Sequence, residues 1–181
     1  MESMFAGCSS LEYLDLSSFD TSNVESMSRM FADSSYMSLN LSSFNTSKVN
    51  GMKEMFYGCS SLEYLDLSSF DTSNVEYMIQ MFAYSSYMSL DLSSFNTSKA
   101  AYMDGMFYNC YYLYELVLSS SFTMEKVTNY RNMFSNYYIS VTQNGANLKE
   151  DIKNSIDSTN LRDLKKNLIL ITINTEKTKK I

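Results

Sequence analysis

The chain has no histidine, no proline and no tryptophan in its 181 residues. Without histidine it cannot use histidine-based acid–base catalysis, histidine metal ligands, or Ser–His and Cys–His nucleophile pairs. Long apolar runs are also missing: the longest aliphatic stretch is Leu168–Ile171, far too short to span a membrane. Positive charge is scarce, since 14 basic against 20 acidic residues give a net charge of −6, which argues against nucleic acid as a partner. A hydrophobic content of 45% nevertheless predicts a folded chain.

A tandem repeat dominates the sequence. The dipeptide Met-Phe occurs six times, with its methionines at positions 4, 30, 55, 81, 106 and 133, which gives steps of 26, 25, 26, 25 and 27 residues. The larger unit is therefore 51 residues, and residues 1–51 differ from residues 52–102 at only 11 positions. A period in the twenties is typical of repeat proteins in which short units stack on their neighbours.

Each unit predicts a short strand followed by a short helix. Leu14-Asp15-Leu16 alternates apolar and polar residues as a strand does, and similar triplets recur in the next four units. Val24, Met27 and Met30-Phe31 then have helical spacing, with an apparent capping box before them. The resulting fold class is an α/β solenoid, a leucine-rich-repeat-like stack of about six strand–helix coils with parallel strands, and it occupies residues 1–140.

The regular Phe, Met, Thr and Cys columns are interpreted as structural. All eleven Phe belong to two columns, one after the strands and one in the Met-Phe pairs, and we expect both in the core. Thr21 and its equivalents lie beside each helix start and are predicted to be N-caps. Gly7 and Gly58 are predicted to end helices in a left-handed conformation, which Asp33 and Asn109 can also adopt. Cys8, Cys59 and Cys110 are 51 residues apart, too far along the stack for a disulfide, so free thiols are expected.

Outward-facing residues of the predicted strands form the candidate site. We call it the strand face, and it combines tyrosine, carboxylate and hydroxyl groups. It consists of Tyr13, Asp15, Ser17, Asn40, Tyr64, Asp66, Ser68 and Asp91. Tyrosine provides contact area at low entropic cost, and repeat proteins commonly bind through such faces. A solvated face without a ligand is the open alternative; a calcium site at Asp66 and Asp91 is a weaker one, because ligand-rich loops are absent.

The repeat consensus resembles a known family. The pattern Met-Phe-x-Gly-Cys-Ser-Ser-Leu-x-x-Leu-Asp-Leu-Ser-Ser-Phe-Asp-Thr-Ser-Asn-Val is similar to the BspA-like leucine-rich-repeat surface proteins, in the branch first catalogued as a mycoplasma family of unknown function, and residues 55–81 match it nearly completely. The resemblance covers roughly residues 1–140. It implies a surface-exposed or secreted module for adhesion or protein interaction, without enzymatic activity or a cofactor.

The C-terminal residues 141–181 differ from the repeats. They carry 5 acids and 8 bases, and the Phe columns stop. Leu148, Ile152 and Ile156 predict a helix and residues 168–173 a strand, so a small α+β cap with a basic tail is expected. No signal peptide pattern opens the chain, and we expect a fragment of a longer surface protein; a cytoplasmic protein is the alternative.

Three functional hypotheses follow. The first is a non-enzymatic, monomeric module that binds a protein of a host or neighbouring cell through the strand face, without inserting into a membrane. The second is a structural spacer whose length changes by repeat duplication and which has no specific ligand. An enzyme is the third and is not expected, because no nucleophile–base pair, phosphate loop or metal-ligand set is visible.

Overall fold

The structure is a computed structural model that describes residues 1–11, 13–36, 38–62, 64–134, 138–142 and 168–174, the last two ranges for their backbone alone. Four strands occur in these ranges: β1 Ser89–Leu92, β2 Glu115–Ser119, β3 Tyr138–Thr142 and β4 Leu168–Asn174. They form one parallel sheet in the order β1-β2-β4-β3. The strand predicted at residues 168–173 is therefore present, and it pairs with β2 and β3. The helix predicted through Leu148, Ile152 and Ile156 lies outside the described residues.

The predicted solenoid of strand–helix coils is wrong. No residue in the described part of the chain is helical, and of the predicted strand triplets only those at residues 90–92 and 116–118 are strands. Where short helices were expected, the chain makes successive turns. These occur in residues 26–33, 51–58, 77–84 and 102–109, and the corresponding residues 2–7 and 131–134 also form turns; we call all of these the turn segments.

Backbone hydrogen bonds between repeats replace the helical ones. In the turn segment at residues 26–33, the amides of Met27, Arg29, Phe31 and Asp33 donate to carbonyls of residues 51, 53, 55 and 57, at 2.7 to 3.0 Å. The following three segments repeat this pattern, and parallel bridges join Ser26, Gly51, Tyr77 and Tyr102 in succession. A helix of about nine residues is too short to be stable alone. Its amides are satisfied here by the neighbouring repeat instead, as buried amides must be.

Left-handed residues allow these turns. Gly7, Asp33, Gly58 and Asn109 have φ of 71°, 55°, 66° and 55°, as their residue types predicted, although they do not end helices. Tyr84 has φ of 58° at the same position in its repeat. A second left-handed column, four residues earlier, was not predicted; it consists of Ser3, Arg29, Glu54, Gln80, Gly105 and Asn132. Two left-handed residues in one turn segment are incompatible with a helix.

The other Leu-x-Leu triplets alternate without forming strands. Leu65 and Leu67 are buried and Asp66 between them is exposed, so the predicted inside–outside pattern is correct. Hydroxyls join this part of the repeats: Ser69 donates to the carbonyl of Leu41 at 3.2 Å, and Ser94 to that of Leu67 at 2.9 Å. At these positions serine hydroxyls make the hydrogen bonds between repeats that backbone amides make in a pair of strands.

Both Phe columns contribute to the core as predicted. Rings of the Met-Phe column stack through the repeats at centroid distances between 5.0 and 5.9 Å; the members are Phe5, Phe31, Phe56, Phe82, Phe107 and Phe134. In the second column Phe44, Phe70, Phe95 and Phe122 are buried. Stacked aromatic rings bury a large area in each repeat and favour one register between neighbours.

The threonine column joins repeats and does not cap helices. The hydroxyl of Thr72 accepts a hydrogen bond from the amide of Asn96 at 2.8 Å and donates one to the Asn96 carbonyl at 3.0 Å. Thr46 makes the same pair of bonds with Asp71, and Thr97 with Thr123. The N-cap interpretation is therefore wrong. These buried hydroxyls connect residues that are about 25 positions apart.

Candidate functional site

The strand face is solvent-exposed along its whole length. All eight of its residues are exposed, and the side chains of Tyr13 and Tyr64 keep 72% and 71% of their accessible surface. Since an aromatic side chain in a folded chain is usually more covered than this, two exposed tyrosines at equivalent repeat positions mark the face.

Turns position the acidic groups of the strand face. The carboxylates of Asp15, Asp66 and Asp91 accept hydrogen bonds from the backbone amides two residues later, at 2.8 to 2.9 Å. Asn40 makes the same turn with its amide oxygen at 3.1 Å. The backbone amide of Ser68 is the main cause that lowers the pKa of Asp66, and that of Ser17 acts likewise on the pKa of Asp15. The carboxylates of Asp15 and Asp66 are thus negatively charged at neutral pH, and the turns constrain their position.

Four of the eight predicted residues share one depression. Tyr64, Asp66, Ser68 and Asp91 line a depression of about 100 Å³ that lies between neighbouring repeats, together with Ser89, Ser93 and Ser94 and with the buried Leu65 and Leu67. Tyr13, Asp15, Ser17 and Asn40 do not line it. Its groups are carboxylates and hydroxyls, so it can accept hydrogen bonds from a cationic or amide-bearing ligand.

Sequence reasoning missed a second surface, on the turn segments. Tyr57, Tyr84 and Tyr108 follow one another with ring centroids 5.2 and 5.4 Å apart, and Tyr77 stacks on Tyr102 at 5.0 Å. A depression of about 540 Å³ adjoins Tyr84 and Tyr108. The signal in the sequence was the recurrence of tyrosine at matching repeat positions, Tyr57 with Tyr108 and Tyr77 with Tyr102; Tyr84 lies one position later in its own repeat than Tyr57 and Tyr108 do in theirs.

Charged residues pair with each other on the turn segments at residues 26–33 and 51–58. The guanidinium of Arg29 contacts the carboxylate of Glu54 at 2.7 Å, and the ammonium of Lys53 contacts it at 3.3 Å. Arg29 also lies 3.8 Å from Asp33. The Arg29–Glu54 pair joins two repeats, the other two pairs each lie within one repeat, and together they leave these charged side chains already paired.

The three cysteines are free, and two of them have a structural role. The Cys59 thiol donates to the carbonyl of Phe31 at 3.2 Å, and the Cys110 thiol donates to that of Phe82 at 2.9 Å. In the intervening repeats Ser34 and Ser85 donate to the equivalent carbonyls at 2.7 Å. Burial raises the pKa of both Cys59 and Cys110 to about 12, so neither thiol is an activated nucleophile.

Comparison with known proteins identifies the family. A family model described as "Mycoplasma protein of unknown function, DUF285" matches residues 1–65 and residues 33–147, which is most of the chain. The chain belongs to the DUF285 family. Neither the curated proteins nor the solved structures contain a match.

Among the residues that the structure describes, no group of three or more Cys, Asp or Glu side chains in this DUF285 chain is placed to hold a metal ion. The carboxylates of Asp66 and Asp91 accept amide hydrogen bonds from separate turns. Within the same ranges, no helix is long and apolar enough to cross a membrane.

Proposed function

We propose that this DUF285 chain is a non-enzymatic repeat module for adhesion or protein–protein interaction, and that it binds its partner through the strand face. The observation that carries the proposal is the depression that Tyr64, Asp66, Ser68 and Asp91 line. An aromatic side chain with large exposed area stands there beside carboxylates that backbone turns already hold in place. Side chains ordered before binding lose less conformational entropy when a partner arrives.

The chemistry of the strand face favours a basic or polar extended protein as partner. Its charged side chains are carboxylates, and a partner rich in Lys or Arg would be attracted to them. Because these carboxylates are exposed, the attraction should weaken as salt increases. We further propose a location on the cell surface or in the secreted fraction, with a cytoplasmic location as the alternative. The similarity of the repeat consensus to the BspA-like surface proteins supports this.

A structural spacer without a specific ligand is the second candidate function. The observation that favours it is the near-identity of the two 51-residue units, which differ at only 11 of 51 positions. Recent duplication of such a unit lengthens the chain, and it also explains why Tyr13 recurs as Tyr64 and Asp15 as Asp66. Recurrence alone therefore does not distinguish a receptor from a spacer.

Two matched double variants separate these functions. The first is Tyr64→Ala with Asp66→Asn, which keeps the turn because Asn40 makes the same turn in its own repeat. The control is Tyr77→Ala with Glu76→Gln, which removes an exposed tyrosine and an exposed carboxylate from outside the strand face. Retention of each purified protein on cells and on immobilised basic matrix proteins is measured at low and high salt. Far-UV circular dichroism and urea unfolding establish that both variants are folded.

Loss of retention in the first variant alone, together with weaker retention of the parent at high salt, supports the strand face as a receptor. Equal retention of both variants and the parent would contradict it. No retention of the parent on any surface would favour the spacer.

A further inference from the structure

Gly105 lines the larger depression on the turn segments with its backbone alone. Gly105 occupies the second left-handed column, with φ of 57°, where the neighbouring repeats have Gln80 and Asn132. Glycine is not required by the backbone there, since five non-glycine residues adopt a positive φ in the same column. A Cβ at this position would lie 3.2 Å from the Cγ of Gln80 and 3.3 Å from the Cβ of Tyr108. A side chain at this position would therefore push against Gln80 and Tyr108, which line the depression together with residues of three consecutive repeats.

Polar side chains at this depression are available for a ligand. Gln80, Asp104 and Arg131 line it, and in the described part of the chain none of them makes an ion pair or a side-chain hydrogen bond. The same stretch of earlier repeats differs, since Arg29, Lys53 and Glu54 pair with one another there.

Two tyrosines line the same depression as these polar groups. Tyr84 and Tyr108 line the depression with ring centroids 5.4 Å apart and ring planes inclined by 64°. Tyr84 is 42% exposed, so part of its ring faces solvent. Ring faces of tyrosine offer apolar contact area, and their hydroxyls can donate or accept hydrogen bonds.

We infer that this depression is a binding site for a neutral sugar unit, such as one residue of a glycan. One carboxylate and one guanidinium balance in charge, so the site favours neither anions nor cations. Backbone amides at Gln80 and Gly105 donate to the next repeat and cannot form an anion-binding nest. A sugar presents hydroxyls that both donate and accept. It can therefore pair with the Asp104 carboxylate, the Arg131 guanidinium and the side-chain amides of Gln80 and Asn132 at once. Its C–H face suits an aromatic ring, and the volume of about 540 Å³ accommodates a small ligand.

The site is separate from the strand face, because none of its lining residues belongs to that face. The protein-binding proposal and the sugar-binding inference can therefore be confirmed or refuted independently of each other.

Saturation-transfer difference NMR of the full chain tests this inference with defined probes. The sugar probes are the methyl glycosides of glucose, galactose, mannose and N-acetylglucosamine; inorganic phosphate and tetramethylammonium are the charged probes in parallel titrations. Gly105→Asn crowds Gln80 and Tyr108, which line the depression, and asparagine is compatible with the backbone because Asn132 has φ of 56° in the same column. Gly7→Asn is the matched control: Gly7 is also left-handed, a Cβ there would meet nothing within 4 Å, and Asn109 occupies its equivalent position.

We expect at least one glycoside to bind the parent and the Gly7→Asn variant equally, and to bind Gly105→Asn about tenfold more weakly or not at all. Asp104→Asn keeps the shape and removes one charged acceptor, so a loss of about tenfold is expected there too. Asp104→Asn also tests whether the depression binds a sugar if Gly105→Asn does not fold. The inference is overturned if no glycoside binds the parent, if glycoside binding is unchanged in Asp104→Asn or in a folded Gly105→Asn, or if only phosphate or tetramethylammonium binds.

Discussion

Replacing Thr72 with valine tests the way in which neighbouring repeats are held together. The side chain is fully buried, and its hydroxyl makes two hydrogen bonds to the backbone of Asn96, at 2.8 and 3.0 Å. Valine has almost the same shape and removes both bonds, so an amide and a carbonyl of Asn96 lose their partner. Each orphaned backbone group costs about 1–3 kcal/mol when water cannot reach it. Asn96 is half-buried, so we expect Thr72→Val to lower the free energy of unfolding by about 2–4 kcal/mol.

Two controls isolate the hydroxyl. Thr72→Ser keeps both hydrogen bonds and removes one buried methyl group, which should cost only about 1 kcal/mol. Thr128 is exposed, and its hydroxyl donates one bond to the carbonyl of Ala101 at 3.1 Å. Water can replace that bond, so Thr128→Val should change stability by no more than about 0.5 kcal/mol.

Urea unfolding followed by circular dichroism and by tyrosine fluorescence is the assay. With an m-value of about 2 kcal/mol/M, the midpoint of Thr72→Val should fall by about 1–2 M at unchanged m. Coincident transitions by the two probes would justify the two-state analysis. Our reasoning is refuted if Thr72→Val unfolds at the same urea concentration as the parent, or at a higher one than Thr72→Ser.

Three further predictions use the same unfolding assay. Tyr87 is buried and its hydroxyl has no hydrogen-bond partner among the described residues, so Tyr87→Phe should be neutral or stabilise the chain by up to about 1 kcal/mol; a clear loss would contradict this. Cys59→Ser should be tolerated within about 1 kcal/mol because Ser34 and Ser85 donate to equivalent carbonyls, whereas Cys59→Ala should cost about 1–3 kcal/mol. Asp66 has a pKa lowered below 3.8, so its contribution to stability is present above that pH and is lost as the pH falls through the folded-state pKa. Asp66→Asn should therefore lose less stability than the parent between pH 5 and 2, and identical pH profiles would disprove the assignment.

The sequence was sufficient for properties that depend on local pattern and on repetition. Burial of the Met-Phe pairs from Met30-Phe31 onwards and exposure of Tyr64 and Asp66 follow from apolar periodicity, which requires no knowledge of the backbone path. Left-handed conformations at Gly7, Asp33 and Asn109 follow from residue type, because few side chains tolerate them.

Only the tertiary structure decided where the backbone hydrogen bonds go. Val24, Met27, Met30 and Phe31 have spacings of three, three and one, which fit one side of a helix and fit successive turns equally well. The choice depends on whether the amide of a residue such as Phe31 meets a carbonyl within its own segment or one in the next repeat; here it meets that of Met55, at 3.0 Å. Periodicity along one repeat carries no information about a partner some 25 residues away. For the same reason the buried role of Thr72 and the depression that Gly105 lines emerge only when the repeats are stacked.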